Sequence, residues 1–187
     1  MTNQSLKGHL LIAAPSVQAP LFARSVVLMV EHTDDEGAKG IILNLPTTAT
    51  MTDLAGKLFN DDFVWEKPLH LGGPVSGPLM VLHTEEQLAD LEVVSGVYMA
   101  LDATKSQHLI SMEVEPSLVV ANFSCWAPGQ LEAELSNDVW LTIPADTEHI
   151  FLRGYDDLWR NTISEVRADR LKDIVGLRET PGDPSLN

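Results

Sequence analysis

The chain has 187 residues, with 27 Asp+Glu against 12 Lys+Arg and a formal net charge of −15 at pH 7. That length fits one domain with a sizeable core, and 44% hydrophobic with 21% charged residues excludes a disordered or fibrous chain. The acidic balance disfavours nucleic acid as a partner, because non-specific affinity for a phosphate backbone comes from Lys and Arg releasing counterions.

Leu10, Leu11, Ile12, Ala13 and Ala14 form a short apolar run ended by Pro15, which predicts a buried strand. Residues 25–30 predict a second, rich in β-branched side chains. Thr33, Asp34, Asp35, Glu36 and Gly37 supply a polar turn, and residues 39–44 return as a third strand, so a hairpin is expected here. These runs are continuously apolar rather than alternating, which predicts burial on both faces and a second layer covering the sheet. Thr50 or Thr52 can cap a helix running to about Phe59, with Leu54, Leu58 and Phe59 on its buried side. Leu71, Gly72, Gly73, Pro74 and Val75 read as a tight structural turn, since the Gly-Lys-Ser/Thr ending of a phosphate loop is missing.

Further strands are expected at residues 79–82, 97–101, 118–123, 140–143 and 149–152. Asp102 is placed to cap a helix carrying Leu109 and Ile110. Pro128 and Gly129 precede a short helix whose Leu131 and Leu135 are four apart and share a face. Leu158, Trp159, Ile163 and Val166 fit an amphipathic helix, which Leu171, Ile174 and Val175 either extend or follow as a second one. The expected organisation is one domain over residues 1–175 and a loose tail over 176–187.

The chemistry-bearing residues are few. None of the six histidines lies at metal-ligand spacing on a helix, so no metal or other cofactor is expected. His32 and His83 each end a predicted strand, where polar side chains often emerge into clefts. Neither Ser25 nor Ser124 sits in the Gly-x-Ser-x-Gly of a nucleophile elbow. The single cysteine, Cys125, excludes an intramolecular disulfide. Near a helix start it is a candidate reactive thiol, although a small buried filler beside Trp126 is the favoured expectation. Gln130 and Glu132 sit where they can reach free backbone N–H groups at the helix start. Trp126 and Trp140 supply bulk that serves either architecture or the rim of a pocket. A lone cysteine fits a reducing compartment. The first apolar run is shorter than the roughly 7–15 residues of an export signal's core. No run approaches the roughly 20 apolar residues of a membrane span. A cytoplasmic protein without membrane association is expected.

The run Ser124-Cys125-Trp126-Ala127-Pro128-Gly129-Gln130-Leu131-Glu132-Ala133-Glu134-Leu135, with Trp140-Leu141-Thr142-Ile143-Pro144 after it, resembles the signature of the bacterial AlgH/YqgE-like family. Further blocks follow in the family's order: Gly8–Pro15, Phe22-Ala23-Arg24-Ser25, Glu31-His32, Gly40–Asn44 with Pro46, Leu71–Val75, Leu82-His83 and Leu158-Trp159-Arg160. The chain departs from it at Asn122-Phe123-Ser124-Cys125, where a Gly-Tyr-Ala-like sequence is common. Asn122 tolerates left-handed backbone, whereas Phe123 lacks the tyrosine hydroxyl. An arginine often found between Val75 and His83 is also missing.

The resemblance implies an α/β fold, a single domain with a mixed, barrel-like β-sheet core flanked by helices. Some members carry a transcriptional-regulator label, but this chain shows no helix-turn-helix pattern and no basic helix. The leading expectation is a non-enzymatic regulatory protein that binds a small ligand or a protein partner. Its candidate surface comprises Phe22, Arg24, His32, His83, Gly129, Gln130 and Glu132. Trp126, Pro128, Leu131, Leu135 and Trp140 form the structural signature. A thiol- or metal-assisted hydrolase and a DNA-binding regulator are the alternatives.

Overall fold

The computed structural model describes residues 5–48 and 67–175. The helix expected near residues 50–59 and the tail from 176 lie outside them. In chain order the strands are β1 His9–Ala13, β2 Val26–Thr33, β3 Gly37–Ile42, β4 His70–Leu71, β5 Val75–His83, β6 Leu91–Val94, β7 Val97–Ala100, β8 Ser117–Trp126 and β9 Trp140–Pro144. The helices are α1 Ala103–Ser111, α2 Gln130–Ser136 and α3 Tyr155–Val175.

The nine strands form one curled, half-barrel sheet in the order β6-β7-β5-β8-β3-β2-β1-β9, with β4 joined to β8 as the parallel pair. β2 and β3 make the expected hairpin, closed across Thr33 and Gly37. β8 organises the molecule, since β3, β4 and β5 all bond to it.

Burial on both faces follows from the continuous apolar runs. Leu10, Ile12, Val26 and Leu28 point into one core with Ile41, Met99, Leu158 and Ile163. Their neighbours Leu11, Ala13, Val27 and Met29 point the other way, onto Trp126, Leu131 and Trp140. A third cluster packs α1 through Leu109 and Ile110 onto Val81 and Val119. Asp102 caps α1 as expected, accepting from Thr104 N–H and Lys105 N–H. Asn122 takes the left-handed conformation, φ 65°, and its Oδ1 accepts from Gly77 N–H at 3.2 Å.

One expected strand is overturned. Residues 149–152 lie in a π-helical turn, Glu148–Leu152. Asp146 Oδ1 accepts from His149 N–H at 2.8 Å, and Arg153 N–H closes a five-residue step onto Glu148 O at 3.1 Å. Local polar capping therefore outweighs the apolar run, and Ile150 still reaches the core. At the C-terminus the open alternative resolves into one helix, α3, of 21 residues. β4 and β6 lie outside the strands expected from the sequence: β4 is only two residues long, and β6 is a four-residue stretch between Asp90 and Ser95. Among the described residues no helix is long and apolar enough to cross a membrane.

Candidate functional site

The signature segment starts at the end of β8, where Ser124 and Trp126 point inward and Cys125 outward. Cys125 is exposed, not the buried filler expected, because strand alternation gives the inward position to its larger neighbour. The chain then turns through Ala127 and Pro128. Gly129 follows at φ 77°, and α2 begins at Gln130. The Gln130 side chain does reach back, accepting from Ala127 N–H at 3.1 Å.

Glu134, on the next turn of α2, is the residue that sequence reasoning missed. Its Oε2 accepts from Trp126 Nε1–H at 2.9 Å and from Trp140 Nε1–H at 2.6 Å. Its Oε1 accepts from Gln130 Nε2–H at 2.9 Å. One carboxylate thus ties together two indoles that are 14 positions apart in sequence. The signal available was the i, i+4 spacing of Gln130 and Glu134, which puts both on one helical face. The rings pack edge to face, Trp126 on Trp140 at 6.1 Å and Phe22 on Trp140 at 5.9 Å. Beside them lies a cavity of about 330 Å³ whose wall includes Phe22, Pro74, Cys125, Gln130 and Glu134.

His32 and Glu132 meet on the far side of α2. His32 is 7% exposed. Its Nδ1 accepts from Leu6 N–H at 2.9 Å, so the proton sits on Nε2, which donates to Glu132 Oε1 at 2.8 Å. Glu132 therefore pairs with a buried imidazole.

The remaining candidates lie elsewhere. Arg24 is two residues from Phe22, yet its guanidinium rests over the Trp159 ring at 5.8 Å, away from the indole cavity. Gly129 forms the left-handed entry to α2. His83 is fully buried at the end of β5, beside Tyr98. The structure thus brings Phe22, Gln130 and Cys125 together, pairs His32 with Glu132, and leaves Arg24 and His83 apart. Among the described residues no three His, Cys, Asp or Glu side chains converge as a metal set.

Two buried histidines are displaced from their ordinary pKa. His70 Nδ1–H donates to Leu43 O at 2.6 Å, leaving Nε2 buried without a partner. His83 Nδ1 accepts from Glu85 N–H at 3.1 Å, and its Nε2 is likewise unpartnered. Burial lowers both pKa values, opposed at His70 by the Leu43 carbonyl and at His83 by Glu85 and Asp90. The unfolded chain then binds more protons once the pH falls below about 6.5. Stability from this source is complete above that pH and declines below it, by at most about 1.4 kcal/mol per pH unit for each histidine. Urea melts should show a lower midpoint at pH 5.5 than at pH 7.5, and a smaller drop in His83→Gln. Equal drops in the two proteins would remove His83 as a cause.

The comparisons with known proteins agree with this architecture. The family model described as AlgH-like (DUF179) matches residues 10–170. A UPF0301 protein of Stenotrophomonas maltophilia (strain K279a) is 33% identical over 189 residues, covering 94% of this chain and 98% of its own. A UPF0301 protein of Chlorobaculum tepidum is 35% identical over 172 residues, covering 87% of this chain and 89% of its own. The solution structure of the AlgH protein from Pseudomonas aeruginosa superposes with a TM-score of 0.73 at 27% identity, covering 98% of both chains. A crystal structure from Corynebacterium diphtheriae shares the fold with a TM-score of 0.68 at 24% identity, over 87% of both chains. Family model, relatives and fold agree over nearly the whole chain, and the protein belongs to the AlgH-like family.

Proposed function

We propose that this protein is a non-enzymatic regulatory protein that binds a small ligand in the indole-walled cavity. One observation carries the proposal: a cavity of about 330 Å³ beside Phe22, Trp126 and Trp140, whose polar groups, Gln130 and Glu134, are already fixed by hydrogen bonds. Apolar walls with a few oriented polar groups are the usual composition of a small-molecule site. The cavity lining contains a thiol but no histidine, which favours binding over hydrolysis. A partner other than DNA is supported by charge. Lys39, Lys67, Lys105, Arg153, Arg160 and Lys172 are all paired with carboxylates in a chain of net charge −15. The exposed free thiol of Cys125 supports a reducing, cytoplasmic setting. The domain would span residues 1–175, with 176–187 as a tail.

An NMR screen of small aromatic and aliphatic fragments tests the reading. Bound fragments should shift the Trp126 and Trp140 Nε1–H resonances, and Phe22→Ala should weaken them roughly tenfold by removing one wall. A screen in which no fragment moves those two resonances would sink the proposal. So would hits that bind Phe22→Ala as tightly as the wild type.

A further inference from the structure

On the other side of the 19–24 loop lies a second cavity, of about 370 Å³, between Arg24, Asn44 and the first turns of α3 at Tyr155, Asp156, Trp159 and Arg160. Three sequence blocks far apart in the chain meet there. We propose that this cavity is a small-oxyanion site, taking a carboxylate or phosphate group on Arg24 and Arg160.

The backbone is arranged around Arg24. Its φ is 59°, in the left-handed region that glycine or asparagine adopts more readily than arginine. Asn44 holds that turn from both sides: Nδ2–H donates to Arg24 O at 2.9 Å, and Oδ1 accepts from Val26 N–H at 2.8 Å. The conformation itself gains nothing from an arginine, so the side chain is the reason to look further.

That side chain is both placed and available. Its guanidinium lies over the Trp159 ring at 5.8 Å, and Trp159 is anchored by Nε1–H donating to Ala13 O at 2.8 Å. A guanidinium held over an aromatic ring keeps N–H donors for a second partner. Among the described residues no carboxylate pairs with Arg24, although the chain is strongly acidic. Arg160 gives Nη1–H to Asp157 Oδ1 at 2.7 Å and keeps its other donors. The wall also contains the positive end of α3, which favours an anion, and Asp156, which opposes one. The arginine fork makes the difference, because it matches two oxygens of a carboxylate or phosphate at once.

The test is a titration of the full ¹⁵N-labelled chain at constant ionic strength, with inorganic phosphate in one arm and acetate in the other. The Trp159 Nε1–H resonance reports the site, and those of Trp126 and Trp140 report the fold. The expected result is a saturable Trp159 shift in at least one arm, with the tighter arm naming the anion. Arg24→Lys keeps the charge but loses the fork and should weaken that binding roughly tenfold. Arg160→Gln, at an exposed position, should weaken it as well and serves if Arg24→Lys disturbs the fold. Shifts matched by sodium chloride alone would overturn the proposal. Wild-type affinity in both variants would do the same.

Discussion

Gly37→Ala is expected to destabilise the protein by about 2–5 kcal/mol, the sum of left-handed strain and overpacking against rigid neighbours. Gly37 opens β3 at φ 81°, where β3 leaves the hairpin and meets the end of β8. A Cβ there would lie 2.2 Å from Trp126 O, 2.8 Å from Ala127 C and 2.9 Å from Pro128 N. All three are backbone atoms, so no side chain can swing away. Relief requires moving β8 off β3, which breaks the register Ala38↔Trp126 and Lys39↔Cys125. Gly129 is the natural control. Its φ is 77°, yet nothing lies within 4 Å of a Cβ built on it. Gly129→Ala should therefore incur only the conformational cost, about 1 kcal/mol. Urea melts of the two variants at one pH separate these contributions. Equal losses would mean that the β3–β8 junction yields and that Gly37 matters only for its φ.

That contrast also marks what could be read from the sequence. Gly37 was legible as a turn residue between two apolar runs, and β1, β2 and β3 were legible because their side chains are buried on both faces. Asp102 announced α1, and Leu131 with Leu135 announced α2. These features are local, so a window of a few residues contains the physics. The close approach of Gly37 to Trp126 is not local. Nor is the Glu134 carboxylate shared by two tryptophans, or Arg24 lying over Trp159. Each depends on which strands become neighbours, and the order β8-β3-β2-β1-β9 is not written in any one segment. The misread residues 149–152 carry the same lesson on a smaller scale. Their composition favours a strand, but the Asp146 side chain and the Glu148 carbonyl supply hydrogen bonds that a strand would forgo. Cys125 was misjudged because its inward or outward sense depends on where β8 pairs, and a shift of one residue would have exchanged it with Trp126.

Trp126→Ala is expected to cost about 3–5 kcal/mol, the usual range for truncating a buried tryptophan. The side chain is 5% exposed and packs in one cluster with Leu11, Val27, Ala38, Leu131 and Trp140. Its Nε1–H also occupies one of the three donor contacts on Glu134, which keeps Trp140 and Gln130 after the loss. Trp126→Phe separates packing from that hydrogen bond. It retains most of the apolar area and should cost about 1–2 kcal/mol. Glu132→Ala belongs beside it. Had Glu132 been only an exposed acid at a helix start, its removal would change stability by no more than about 1 kcal/mol. Its partner is instead the buried His32 Nε2–H, which the substitution strips of its acceptor, so a loss of about 1–3 kcal/mol is expected. Denaturant melts should therefore rank Trp126→Ala as the most damaging of the three. Fragment binding in Trp126→Phe then weighs architecture against recognition. Stability near wild type with binding lost would make the indole a contact for the ligand. A Trp126→Ala protein as stable as the wild type would contradict the buried packing of the ring and with it the architecture of the cavity wall.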